Sequence, residues 1–199
     1  MGRRNFFSGW ICVGRSADIA EPGMQRAERA GDTTALLVRG EDGVLRAFAE
    51  VCRHRGHDIR PCGGSAQARA ITCPYHSWSY RLDGELCSAA GYGGLSSFDK
   101  SKFPLRSLKV AEWHGFSSVD ISGQAGPLDA HLAGLEERVA PYRLETLQVR
   151  GSYQFVIQAN YKTITEKYQE CDHCPSIHPE RCVVSLPESG ANWGATEGA

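Results

Sequence analysis

Two short motifs, each pairing a cysteine with a histidine, constrain this 199-residue chain more than anything else in it. The first reads Cys52-Arg53-His54-Arg55-Gly56-His57 and the second Cys73-Pro74-Tyr75-His76-Ser77-Trp78. Thiolate and imidazole are metal ligands, and four of them in two compact motifs point to one site closed by two loops. Two loops meet reproducibly only when rigid strands carry them, so the flanking sequence has to supply a scaffold.

The flanks read as short strands with turn punctuation. Ala35 to Arg39 and Val44 to Ala49 are apolar runs joined by Glu41-Asp42-Gly43, and Asp-Gly between apolar strands is a strong hairpin signal. The same dipeptide recurs at Asp83-Gly84, after Ser77 to Tyr80. Trp10 to Gly14, Leu105 to Val110 and Phe116 to Ile121 give further strands. Antiparallel β is therefore the expected class for the first part of the chain. Asp129 is placed to cap a short helix in which Leu132, Leu135 and Val139 share a face and Pro141 ends it. A strand over Tyr153 to Ile157 follows, then a helix with Asn160 as N-cap, stopped by Pro175.

Eight cysteines could mean disulfides, metals or buried thiols. Arg3-Arg4 precedes only a strand-sized apolar piece broken at Arg15 and Asp18, which reads as a first core strand instead of an export signal. With no secretory signal, metal binding in a reducing cytoplasm is the expected use of the motif cysteines. Cys12, Cys62 and Cys87 are expected to fill space as buried or partly buried thiols. A net charge of −1 without lysine or arginine runs gives no nucleic-acid footprint, and no apolar stretch is long enough to span a bilayer.

Two cysteines on one iron and two histidines on the other is the mixed ligation of a Rieske [2Fe–2S] cluster. Cys52, His54, Cys73 and His76 supply that set, with His57 outside the pattern. One structural zinc is the alternative, although zinc modules usually open with two cysteines whereas each half here pairs one Cys with one His. The motifs resemble the cluster-binding domain of the Rieske non-haem iron ring-hydroxylating oxygenases, alpha (large) subunit. The likeness extends through Gly9 to Gly14, Leu37 to Arg39, Arg46 to Phe48, Ser79 to Gly84 and Trp113-His114-Gly115-Phe116. Ser77 stands where many members have glycine.

Asn160 to Glu180 holds a second constellation. On a continuous helix Glu166, Glu170 and His173 would stack on one face, and a bend at Pro175 would return His178 to it. Two histidines beside a carboxylate suit a 2-His-1-carboxylate iron(II) site, while Cys171, Cys174 and Cys182 with the same histidines would suit zinc. The stretch resembles the opening of the oxygenase catalytic domain. The resemblance implies that His173 and His178 ligate the mononuclear non-haem iron. It also implies that Glu170 bridges one of them to a Rieske histidine, His76 by position, of a neighbouring subunit. Lys167 replaces the asparagine common next to the glutamate at 166, and Cys171 to Glu180 is nearest to members acting on choline- or betaine-type quaternary ammonium compounds.

The expected layout is mainly β with some α. An antiparallel Rieske domain over 8–122 leads through a connecting segment with a short helix, 123–145, into the N-terminal fragment of an α+β catalytic domain, 146–199. That fragment holds its first strand and helix, and none of Glu180, Glu188 and Glu197 matches the family's third iron ligand, so the chain is expected to be truncated and incomplete as an enzyme. Two functions follow from the resemblance. As an oxygenase, the chain takes electrons from a reductase or ferredoxin and directs O2 to hydroxylation or demethylation of a small organic substrate, within a homotrimer. As a stand-alone ferredoxin-like carrier, it only relays electrons. A zinc-stabilised structural protein remains a third reading.

Overall fold

The computed structural model describes residues 9–92, 94, 97–169 and 173–184. The chain divides between Gln148 and Val149 into two compact units.

The first unit is built on a seven-stranded sheet with the spatial order β1-β10-β9-β4-β3-β2-β5. Its strands are β1 (Trp10–Arg15), β2 (Met24–Ala30), β3 (Thr33–Arg39), β4 (Leu45–Ala49), β5 (Ser65–Gln67), β9 (Ser107–Trp113) and β10 (Phe116–Asp120). A second sheet of three short strands, β6 (Ile71–Thr72), β7 (Ser79–Tyr80) and β8 (Leu86–Ser88), lies apart from it in the pairing scheme. All pairings are antiparallel, as the turn chemistry predicts.

β3 shows why the core splits in two. Alternate residues of a strand face opposite sides of a sheet. Leu36 and Val38 enter one cluster with Phe48, Ile71, Trp78, Tyr80, Leu86 and Leu105, while Ala35 and Leu37 enter another with Val13, Ile19, Ala47 and Val119. A strand covered on both faces reads as an unbroken apolar run, which is what Ala35 to Val38 is. The first cluster also takes in Cys52 and Cys73, so the core and the motif loops are one packing unit.

β2 has no such signature. Met24-Gln25-Arg26-Ala27-Glu28-Arg29-Ala30 contains no β-branched residue, yet it pairs with β3 on one side and β5 on the other. Neighbouring strands override its weak intrinsic preference.

The connecting segment forms α1 (Leu128–Leu132) and α2 (Glu136–Val139), with 3-10 turns at Ala133–Leu135, Ala140–Tyr142 and Leu144–Thr146. Asp129 is not the cap. Pro127 holds that position and Asp129 lies within the first turn, where its charge still favours the helix dipole. Pro141 opens the turn Ala140–Tyr142 instead of ending a helix, since proline is tolerated in a first turn. Leu135 is exposed, so the expected Leu132–Leu135–Val139 face is only partly buried.

In the second unit, α3 (Tyr161–Gln169) begins as expected after Asn160, whose Oδ1 accepts the Lys162 N–H at 3.0 Å. Pro175 does not stop this helix but sits in the first turn of a separate one, α4 (Cys174–Ile177), and α5 (Pro179–Val184) follows. The strand expected over Tyr153 to Ile157 is not formed among the described residues. A strand needs a ladder partner for its N–H and C=O groups, and here Tyr153, Phe155 and Val156 stand 88%, 79% and 85% exposed.

Gly84 tests the coupling of hairpin to core. Its φ is +94°, and a Cβ there would collide with the Phe48 ring. Gly84→Ala should lower stability by about 2–3 kcal/mol, read as a reduced urea midpoint at unchanged m value.

Candidate metal centre

The two motif loops are built alike. In the first, the Cys52 N–H donates to His57 O at 2.9 Å and the Cys52 carbonyl accepts the Gly56 N–H at 3.0 Å. In the second, the Cys73 N–H donates to Trp78 O at 2.9 Å and the Cys73 carbonyl accepts the Ser77 N–H at 3.1 Å. Each cysteine is thus pinned through its own main chain, and each loop turns through a left-handed residue at the same place, Gly56 at φ +70° and Ser77 at φ +58°. The first loop leaves β4 and is closed by a Val51–Asp58 bridge, while the second joins β6 to β7.

Their side chains converge by type. Cys52 and Cys73 are 3% and 1% exposed and their thiols adjoin. Burial pushes the Cys73 thiol up, and the neighbouring Cys52 adds to the effect. The imidazoles of His54 and His76 adjoin as well, with ring centroids 4.7 Å apart. His54 lies flat on Trp78, 4.7 Å between centroids and 10° between planes. Burial, then His76 and Arg55, depress the His54 pKa, which favours the neutral ring that keeps a lone pair for a metal. His54 Nδ1 is buried with no hydrogen-bond partner. A buried orphan of this kind costs free energy unless something binds it.

Paired thiols beside paired imidazoles suit a two-iron cluster, in which each metal takes two ligands of one kind. Thiolate ligands also gain from hydrogen-bond donors, most when the cluster holds its extra electron, and one is in place. The Tyr80 hydroxyl lies 3.2 Å from Cys52 Sγ and accepts the Arg53 N–H at 3.0 Å, leaving its own proton for the sulfur. Tyr80 is fully buried, and burial followed by the Cys52 contact holds its pKa well above the ordinary phenol value. Sequence reasoning did not single out Tyr80. The only signal for it is its place in β7, facing back toward the first loop. The edge of the site is more open, with His76 half-buried against Tyr75 at 3.8 Å between centroids and Tyr75 against His57 at 5.0 Å.

In the second unit His173 and His178 flank α4, and their ring centroids lie 5.6 Å apart. The bend at this proline-containing turn brings together two imidazoles five positions apart, although not on one helix. Glu170 and Cys171 lie outside the described residues. Glu166 and Lys167 are exposed and Cys174 is buried. Among the remaining cysteines, Cys12 and Cys62 are exposed, not the buried space-fillers expected, and Cys87 is half-buried. Cys12 is on the outward side of edge strand β1, whose inward neighbour Val13 takes the core position.

Residues 9–99 match the Rieske [2Fe-2S] domain family, and residues 144–197 match the ring hydroxylating alpha subunit (catalytic domain) family. The chain is 36% identical over 176 residues to the carnitine monooxygenase oxygenase subunit of Acinetobacter baumannii, covering 87% of this chain and 47% of that protein. It is 36% identical over 178 residues to the glycine betaine monooxygenase oxygenase subunit of Chromohalobacter salexigens, covering 89% and 40%. Among solved structures, the quaternary ammonium Rieske monooxygenase CntA in complex with substrate L-carnitine superposes with a TM-score of 0.79 at 35% identity, over 89% of this chain and 51% of that one. The chain spans about half the length of the curated relatives it matches.

Two substitutions test the site. Tyr80→Phe removes the donor to Cys52 and should lower the reduction potential of the bound cluster, on the order of 50 mV, in an EPR-monitored redox titration. Ser77→Gly relieves a left-handed non-glycine backbone and should raise stability by up to about 1 kcal/mol in thermal unfolding.

Proposed function

Because the chain belongs to the alpha subunits of the Rieske non-haem iron ring-hydroxylating oxygenases, we propose that it carries the electron-receiving half of an oxygenase acting on a small quaternary ammonium compound. The observation that carries this reading is the convergence of Cys52 with Cys73 and of His54 with His76 on two equivalent loops. We assign those four side chains as the ligands of a [2Fe–2S] cluster, which when bound stores one electron at a potential raised by its neutral histidines.

The residues of the chain then have separable tasks. Cys52 and Cys73 anchor the site in the core, where burial excludes water from the sulfurs. Trp78 fixes the plane of the His54 ring, and Tyr80 donates a hydrogen bond to Cys52. His76, with Tyr75 and His57 beside it, presents the less buried edge through which electrons enter or leave.

We assign His173 and His178 as two ligands of a mononuclear iron(II), whose place in the oxygenase is to direct O2 to the substrate. Glu170 is proposed to bridge one of them to His76 of a neighbouring copy in a homotrimer. Such a carboxylate would orient both rings. A reductase or ferredoxin is the proposed donor. The match of residues 144–197 to a catalytic domain favours the oxygenase over a stand-alone carrier. The quaternary ammonium class rests on the names of the matched relatives. No helix among the described residues is long and apolar enough to cross a membrane.

Metal analysis tests the assignment. The purified chain should carry iron and acid-labile sulfide and give an EPR signal on reduction. Iron in excess of sulfide is expected, and combined His173→Ala and His178→Ala should remove that excess without changing the sulfide. Zinc without sulfide would end the cluster reading. Iron equal to sulfide in the unaltered chain would leave the carrier alone standing.

A further inference from the structure

The hairpin joining β9 to β10 turns through His114 and Gly115, at φ +45° and +77°. Its tip meets the end of the first unit closely. A Cβ at Gly115 would lie 3.0 Å from Glu145 Cα and 2.9 Å from Arg15 Nη2, so only glycine lets the turn Leu144–Thr146 approach this far.

Both ring nitrogens of His114 face carboxylates from this connecting segment. Nε2 lies 2.8 Å from Glu136 Oε1 and Nδ1 lies 3.2 Å from Glu145 Oε2. A neutral imidazole has one N–H, and only the imidazolium can donate to both. We propose that His114 is a pH-operated latch, which when protonated bridges Glu136 and Glu145 and holds the turn Leu144–Thr146 on the β9–β10 hairpin.

The surrounding charges support a retained proton. Asp129 and Glu112 line the same hollow as Trp113, His114 and Glu136. Glu112 is neutralised by a two-point contact with Arg39, at 2.8 and 3.0 Å, which leaves Asp129 as the other carboxylate lining the hollow. Arg15 and Arg143 bring positive charge close to Glu145. Arg15 lies over the Phe116 ring and is engaged by the Leu144 and Leu147 carbonyls at 2.9 and 3.1 Å. Arg143 acts on Glu145 through its charge. The Glu136 contact, then that with Glu145, raises the His114 pKa.

The two arms of the latch differ. Glu136 also accepts a hydrogen bond from Trp113 Nε1 at 3.0 Å, which no titration in this range removes. When His114 releases a proton to solvent, its remaining N–H stays with the nearer Glu136. The Nδ1 lone pair then faces the Glu145 carboxylate, and this arm opens. Arg15 still holds the Leu144 and Leu147 carbonyls, so the turn loosens without unfolding the unit. Because the folded value is raised, the latch is fully closed below the ordinary imidazole value of about 6.5 and opens as pH rises through the folded value. Glu136 and Glu145 are held below the ordinary carboxylate value, so the closed state persists above that value and is lost as pH falls through theirs.

The test is hydrogen–deuterium exchange of the full chain from about pH 5 to about pH 9, corrected for intrinsic rates, alongside an NMR titration of His114. The amides read are Thr146 and Leu147, which donate to the Arg143 and Leu144 carbonyls at 2.9 and 3.2 Å. His114 should titrate above about 6.5, and protection at both amides should fall about two- to fivefold through the same midpoint. Glu145→Gln should shift the His114 midpoint down and flatten the protection profile. His114→Asn, which tolerates the left-handed backbone, should flatten it entirely. A His114 midpoint at or below the ordinary value, a wild-type profile without inflection, or an inflection that survives His114→Asn would each overturn the proposal. The two wild-type measurements decide the matter even if a variant fails to fold.

Discussion

Everything at the motif site depends on pinning each cysteine through its own peptide group. Four metal-seeking side chains packed into a core are costly to hold there, because a thiol or imidazole removed from water loses its hydration before any metal repays it. The protein meets this by making the loops rigid in advance. Cys52 and Cys73 each donate and accept one main-chain hydrogen bond across the same turn, so neither sulfur depends on a ligand to be placed. The left-handed residue that both turns require falls on glycine in one and serine in the other, an asymmetry the shared backbone pattern makes visible.

That rigidity reaches outward through aromatic packing. Trp78 is stacked on His54 and is met edge-on by Tyr92, Phe98 and Phe103, so the plane of a candidate ligand is fixed by residues remote from it in sequence. Phe48 joins the same cluster and fills the space above Gly84. The motif site, the small sheet and the β3–β4 hairpin therefore form one mechanical unit. Its electrostatics follow from the same burial, which pushes the His54 pKa down and the Cys73 thiol up.

Legibility in the sequence followed the range of the interaction involved. The β3–β4 hairpin was readable because an apolar run and an Asp-Gly turn are local, and the Asn160 cap for the same reason. The candidate ligands were readable because residue type and spacing alone carry metal chemistry. β2 was not, since its strand character comes from β3 and β5 and not from its own residues. Tyr80 was hidden because its contact with Cys52 crosses from one sheet to the loop leaving the other. Pro175 was misread in position only. A proline that ends one helix and a proline in the first turn of the next look alike in sequence, because both follow an apparent break in the helical pattern.

Tyr153 to Ile157 shows the converse, a pattern that was legible and a structure that did not follow. Aromatic and β-branched residues make the segment a good strand, and the hairpin partners that would complete it are absent among the described residues. Fully burying a side chain of this size is worth roughly 1.5–3 kcal/mol, and Tyr153, Phe155, Val156 and Ile157 all forgo much of it. A row of such residues is stable in water only as a sheet edge with something to pair and cover it. The catalytic-domain match covers residues 144–197, so these residues fall within it, and the chain spans about half the length of the relatives it matches. Local preference proposes a strand, but a sheet exists only where its second strand does.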